Sequence, residues 1–228
     1  MSVRAVSFDV GQVLLAFDAA FLAEKLALRG YVADPIGIDR AAPPAWEEYG
    51  RSLREGRGHG AEGWTAFIKQ VSLGGGADVD DETLASLLAD QQERNMWRRP
   101  VPGMLELVRA LKDRGVPVIA VSNSEGAVRL LLEQAGILDA FAAVADSGVL
   151  GIEKPNPAIF RWAAEQIGVA THDLVHIGDS WTADIEGAHS VGAHAIWFPK
   201  LDERPLPPRT HAATTADDVR AVLEALLA

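Results

Sequence analysis

Cysteine is absent from the 228-residue chain. Its absence excludes a disulfide scaffold, a thiolate metal site and a cysteine nucleophile, and it is compatible with a reducing compartment. Long apolar runs are missing too. No segment approaches the roughly 18 residues a membrane span needs. The N-terminus has no basic stretch followed by an apolar core, so no signal peptide is read. A cytoplasmic location with no membrane partner is the expectation. Basic residues are in deficit: 21 Lys and Arg stand against 32 Asp and Glu, for a formal net charge of −11. No basic stripe offsets this. Arg98-Arg99 is among the densest basic spots and reads as a solvated face, which argues against a nucleic-acid partner. An acidic chain still binds phosphate if the pocket itself is positive. Internal repeats and low-complexity runs are also lacking.

What is present is apolar residues at 48% of the chain, enough for a sizeable core. The length suits one large domain or a core with an insert. Val3 to Asp9 reads as a short buried strand closed by Gly11. From about Asp18 to Trp97 the period is helical (Phe21, Leu22, Leu26; Leu84, Leu87, Leu88), broken at Pro43-Pro44 and Gly74-Gly75-Gly76, with no strong strand. After Pro102 the pattern alternates. Helices are expected from Pro102 to Gly115, Gly126 to Gln134, Pro157 to Ile167, Thr182 to Ser190 and Thr215 to Leu227. Strands are expected at Val116 to Val121, Ala142 to Ala145, Leu174 to Gly178 and His194 to Phe198. Such alternation implies right-handed crossovers and a parallel sheet. The fold class is therefore α/β, a Rossmann-like parallel-sheet core (residues 1–17 and 99–228) carrying an inserted helical domain (18–98).

Four short segments carry chemistry where apolar strands end, and in an open parallel sheet those ends line one edge. Asp9 offers a carboxylate able to attack phosphorus and form an aspartyl-phosphate; alone, it favours a capping or turn aspartate. Ser122 and Asn123 offer donors that add no charge, and are also ordinary turn residues. Lys154, held by Pro155 and Pro157, can neutralise both a phosphoryl group and Asp9. Asp179 and Asp184 flank the start of a helix, and oxygen ligands of this kind suit Mg²⁺. Asp184 binds an ion, orients a bound water, or simply complements the helix dipole. Trp46, Tyr49, Trp64 and Trp97 read chiefly as core of the insert, and His176 and His189 as structural.

Together these segments resemble the four signature motifs of the haloacid dehalogenase superfamily of hydrolases. Asp9 matches the first motif, Ser122 the second, Lys154 the third, and Gly178-Asp179-Ser180 with Asp184 the fourth. The insert resembles the helical cap of members with a type I cap, and Gly151 to Phe160 is similar to that subfamily. The resemblance implies a Mg²⁺-dependent phosphatase acting on a small phosphorylated substrate, with sugar phosphates among the candidates. Asp9, the backbone carbonyl of Gly11, and Asp179 would hold the metal. Ser122, Lys154 and the backbone amides of Val10 and Gly11 would hold the phosphate, and the cap would select the substrate.

The sequence departs from the family at Gly11, where most phosphatases of the family carry an aspartate as general acid and base. Glycine keeps a carbonyl but brings no proton. The alternatives are a weak or inactive phosphometabolite-binding protein, a dehalogenase, or a phosphomutase of the same superfamily. Dehalogenases carry a tyrosine at that position, and a mutase usually needs the missing aspartate. The receiver-domain reading fails on length and on the late carboxylates. Substrate identity and oligomeric state are not legible.

Overall fold

The computed structural model describes residues 3–57, 61–200 and 202–228. In chain order the elements are β1 (Ala5–Phe8), β2 (Leu15–Phe17), α1 (Ala19–Ala27), α2 (Pro35–Arg54), α3 (Ala61–Gly74), α4 (Asp81–Ala89) and β3 (Trp97–Pro100). There follow α5 (Met104–Asp113), β4 (Val118–Ser122), α6 (Val128–Gln134), β5 (Ala143–Asp146), α7 (Ser147–Leu150) and α8 (Pro157–Gln166). The last are β6 (Leu174–Gly178), a π-helical turn (Trp181–Glu186) running into α9 (Gly187–Ser190), β7 (His194–Trp197), β8 (Thr210–Ala212) and α10 (Ala216–Leu226). The chain divides into two compact units, Met1–Ala16 with Arg99–Ala228, and Phe17–Arg98. Among the described residues no helix is long and apolar enough to cross a membrane.

The first unit is built on a six-stranded sheet in the order β5-β4-β1-β6-β7-β8. Every pair is parallel. All four residues of β1, including Val6 and Phe8, are buried, as are all five of β4 and β6. These short apolar runs are what a sheet covered on both faces requires. The covering helices bury matching stripes: Leu105, Val108 and Leu111 of α5, and Ile159, Phe160, Ala163 and Ala164 of α8. From β1 the chain turns to one side of the sheet through β4 and β5, then returns to the other side at β6. The crevice at that reversal, outside the C-terminal ends of β1, β4 and β6, is where such sheets place ligands.

The second unit is helical. Its aromatic side chains pack on one another. Trp46 stacks on Phe67 at 4.1 Å and Tyr49 on Trp64 at 5.0 Å, and Trp97 meets Trp64 edge-on at 5.1 Å. Of the four aromatics read chiefly as core, Trp97 is buried, whereas Trp46, Tyr49 and Trp64 are half-buried, and Tyr49 lines a small pocket with Phe67.

Three sequence expectations need correction. Pro43 and Pro44 do not break the insert's helix; both lie inside α2. Both prolines and the carbonyl-bearing residues four before them, Asp39 and Arg40, are exposed, while Ile38, Ala42 and Ala45 are buried. Water can therefore serve the freed carbonyls while the apolar stripe holds the helix on course. The helix expected from Thr182 begins as a π turn, in which the Ile185 amide reaches Ser180 O five residues back. The sheet also has a sixth strand, β8, whose Thr-His-Ala sequence has no strand pattern; β7 recruits it by pairing Ala195 with Thr210. β2 and β3 form a separate two-stranded sheet, and the Arg-Arg-Pro end of β3 likewise carries no strand signal.

Candidate active site

β1 ends at Phe8, so Asp9 is the first residue past the sheet. Its amide still bonds Ile177 O of β6. The chain then folds back at once: Val10 O accepts from the amides of Leu14 and Leu15, and Gly11 bridges Leu15. The left-handed residue of this turn is Gln12, at φ +59°. Val10 and Gly11 are thus held at the strand end beside Asp9. Ser122 closes β4 and hydrogen-bonds the Asp9 carboxylate.

Lys154 enters from the loop before α8. Its backbone is clamped at two points by the Asn123 amide: Lys154 N donates to Asn123 Oδ1 at 2.8 Å, and Asn123 Nδ2 donates to Lys154 O at 3.0 Å. Asn123 therefore spends its side chain on holding Lys154. The loop that carries Asn123 is itself tied down. Asp146, buried at the end of β5, accepts from Ser124 Oγ, Gly148 N and Val128 N at 2.8–3.0 Å.

Asp9, Asp179 and Asp184 each bring a carboxylate oxygen to within 4.8 Å of the others. Lys154 Nζ stands among them, 2.5 Å from Asp184 Oδ1 and 3.0 Å from Asp9 Oδ1. The second contact is a charge pairing without hydrogen-bond alignment, since Asp9 Oδ1 is buried and has no hydrogen-bond partner. Asp184, in contrast, is fully served. Oδ2 accepts from Ser180 N at 2.9 Å, and Oδ1 meets Lys154 and, at 3.0 Å, His176 Nε2. Asp179 follows β6, and its backbone carbonyl accepts from the Trp197 indole at 2.9 Å.

The electrostatics follow from three carboxylates sharing one ammonium. Burial raises the Asp9 carboxyl above its ordinary value, Asp184 adds to this, and Lys154 and Ser122 oppose it. Asp179 is raised well above that value, first by burial and then by Asp184 and Asp9. Burial works on Asp184 in the same sense, but Lys154 and the His176 hydrogen bond outweigh it and hold Asp184 at about 2. Lys154 is raised: burial opposes its charge, and Asp184 and Asp9 overcome that. With all four ionised, an excess of two negative charges remains. An excess of that size, all-oxygen donors and an unpartnered Asp9 Oδ1 fit a hard divalent cation.

Asp9, Ser122, Lys154, Asp179 and Asp184 thus meet in one place, although Lys154 comes from the loop between α7 and α8 and Asp184 from the π turn rather than from strand ends. Sequence reasoning missed Asp146, Trp197, Ser7 and the contact of His176 with Asp184. A signal existed for the last two. Ser7 and His176 are polar residues inside apolar strands, and they stand opposite one another in register.

A family model for haloacid dehalogenase-like hydrolases matches residues 3–192. A glyceraldehyde 3-phosphate phosphatase from Methanopyrus kandleri is 25% identical over 217 residues, covering 91% of this chain and 88% of that one. A phosphoserine phosphatase from Thermus thermophilus is 34% identical over 116 residues, covering 51% and 43%. Among solved structures, the HAD-hydrolase YfnB of Bacillus subtilis bound to magnesium superposes with a TM-score of 0.77 at 20% identity, covering 98% of this chain and 99% of that one. An L-2-haloacid dehalogenase from Xanthobacter autotrophicus reaches 0.70 at 17% identity, covering 97% and 98%, which shows a common fold and no more. The family model covers most of the chain, and the chain therefore belongs to the haloacid dehalogenase-like hydrolase family.

Proposed function

We propose that the protein is a Mg²⁺-dependent phosphatase that hydrolyses a small phosphate monoester through an aspartyl-phosphate on Asp9, with residues 18–98 serving as a substrate-selecting cap. The observation that carries this reading is the convergence of Asp9, Asp179 and Asp184 within 4.8 Å of one another, with the Lys154 ammonium 3.0 Å from Asp9 Oδ1. One Asp9 oxygen would face the metal, leaving the other for attack. The phosphatase names of two relatives support the substrate class.

Asp9, Asp179 and the Gly11 carbonyl would hold the metal, leaving Asp184, whose oxygens already serve protein donors, to fix Lys154. When bound, Mg²⁺ neutralises charge on the attacking carboxylate and the phosphoryl oxygens. Lys154, Ser122 and the backbone amides of Val10 and Gly11 receive the phosphoryl group. Lys154 and Ser122 spread its negative charge so that the approach of Asp9 is not repelled. An Asp9 oxygen attacks phosphorus, the ester P–O bond breaks, and the leaving oxygen takes a proton from solvent water to depart as the alcohol. Water then attacks phosphorus of the aspartyl-phosphate, releasing inorganic phosphate and restoring the carboxylate. Gly11 supplies no proton, so good leaving groups are favoured.

Turnover of p-nitrophenyl phosphate, with Mg²⁺ and after chelation, tests the reading. Metal-dependent release of phosphate is the expected result; no release with any divalent ion would contradict it. A panel of phosphorylated metabolites then identifies the alcohol.

A further inference from the structure

We propose that Ser7 and His176 are positioning residues, the buried end of a hydrogen-bonded chain that holds Asp184, and through it Lys154, beside Asp9. The proposal rests on the reading of Asp9 as nucleophile. Ser7, His176 and Asp184 are wholly buried. Ser7 and His176 are register partners on β1 and β6, two residues before Asp9 and three before Asp179. Ser7 Oγ lies 2.9 Å from His176 Nδ1, His176 Nε2 lies 3.0 Å from Asp184 Oδ1, and Asp184 Oδ1 lies 2.5 Å from Lys154 Nζ.

The direction of the chain can be read from its ends. A carboxylate only accepts, so Nε2 must carry the proton it shares with Asp184. Ser7 has two acceptors within reach, Val175 O at 3.5 Å and His176 Nδ1 at 2.9 Å. The shorter contact takes the hydroxyl proton, which assigns Nδ1 as acceptor and fixes the Nε2–H tautomer. The Phe160 ring, edge-on to the imidazole at 5.1 Å, holds the ring plane. Two donors, His176 Nε2–H and the Lys154 ammonium, then converge on Asp184 Oδ1, while Ser180 N–H holds Oδ2. This leaves Asp184 one orientation, and so leaves Lys154 one position.

Stability alone does not call for this arrangement. Apolar side chains at positions 7 and 176 would fill the sheet without burying a hydroxyl and an imidazole. What they would lack is a donor for Asp184. Supporting shells of this kind hold reactive groups in geometry and typically change activity about 10–100-fold when removed.

The test compares His176→Leu, His176→Gln and Ser7→Ala in the full chain. Imidazole ¹⁵N NMR of the wild type is expected to show His176 in the Nε2–H tautomer, and Ser7→Ala to keep that tautomer, because Asp184 still demands the Nε2 proton, while shifting the Nδ1 resonance that loses its donor. His176→Leu should lower kcat about 10–100-fold with a smaller change in KM, because Lys154 faces the reacting group. His176→Gln, which reaches the same place with an N–H, should recover most of kcat. An Nδ1–H tautomer in the wild type would overturn the proposal, as would equal losses of kcat in Leu and Gln variants. Absence of turnover in the wild type would fail the phosphatase reading instead, and the tautomer measurement would then decide this proposal by itself.

Discussion

Gly178 and Asp184 are packed so closely that a Cβ on the glycine would lie 2.1 Å from the aspartate Cγ. The last residue of β6 must therefore be glycine for Asp184 to reach Lys154. Gly178→Ala has to displace either the strand end or the carboxylate, and overpacking of this kind typically costs about 1–3 kcal/mol. We expect a lowered melting temperature together with a loss of turnover larger than the stability loss accounts for. Thermal melts and kinetics on the same preparation check this; a variant active at the wild-type level would show that Asp184 can be placed in another way.

Asp179 and Asp184 should differ as metal ligands. Asp184 has its oxygens on Ser180, His176 and Lys154, whereas Asp179 is left strongly destabilised in its charged form by burial and its neighbours. Asp179→Ala is expected to weaken Mg²⁺ binding by more than about tenfold, which is 1.4 kcal/mol, and Asp184→Asn by less. Calorimetric titration with Mg²⁺ reads both, and a reversed order would contradict the ranking.

Without metal, the three carboxylates repel. Asp9→Asn removes one of them at nearly constant volume, so it should raise the melting temperature in chelator and shrink the stabilisation that Mg²⁺ gives the wild type. Melting curves with chelator and with Mg²⁺ decide it; a variant less stable than wild type in chelator would mean that Lys154 needs Asp9 more than Asp184 and Asp179 suffer from it.

The capping box at the start of α10 supplies a pH dependence away from the site. The Thr215 side chain, then the amide and hydroxyl of Thr214, then the amide of Thr215 hold the Asp218 carboxyl at about 2. A carboxyl lowered in the folded state stabilises above its unfolded value near 3.8, and that stabilisation fades as pH falls toward 2. Asp218→Asn should therefore melt below the wild type at neutral pH, with the gap closing between pH 4 and about 2. A gap independent of pH would refute the assignment.

Much of this architecture was legible in the sequence because strand ends and chemistry coincide. Short apolar runs fixed β1, β4 and β6, and parallel order then brought Asp9, Ser122 and Asp179 to one edge. What escaped reading depends on contacts distant in sequence. β8 is a strand only because β7 offers it an edge. Pro43 and Pro44 sit in α2 only because their side of the helix faces water. Asn123 was read as a phosphate donor from its place after Ser122; what the sequence did not show is that its Oδ1 and one of its two Nδ2 hydrogens engage the Lys154 backbone 31 residues away. His176 looked structural because a polar residue in an apolar strand signals a buried partner without naming it as the aspartate eight residues later.

Gly11 gives the kinetic prediction. The left-handed residue of the turn is Gln12, so an aspartate at 11 would not take up the turn's left-handed conformation. Gly11→Asp is expected to raise kcat on alkyl phosphates, toward the roughly 10²–10⁴-fold that a positioned acid supplies, and to do less for aryl phosphates. An unchanged ratio between the two substrate classes would mean that protonation of the leaving group does not limit the rate.

Asp9 is the proposed carrier of the phosphoryl group, and an acyl phosphate can be trapped. Borohydride added during turnover reduces an aspartyl-phosphate to homoserine, which peptide mass spectrometry locates by residue. Homoserine is expected at position 9, dependent on substrate and Mg²⁺, with Asp179 and Asp184 unmodified. Phosphate release at the full rate with Asp9 unmodified would contradict it.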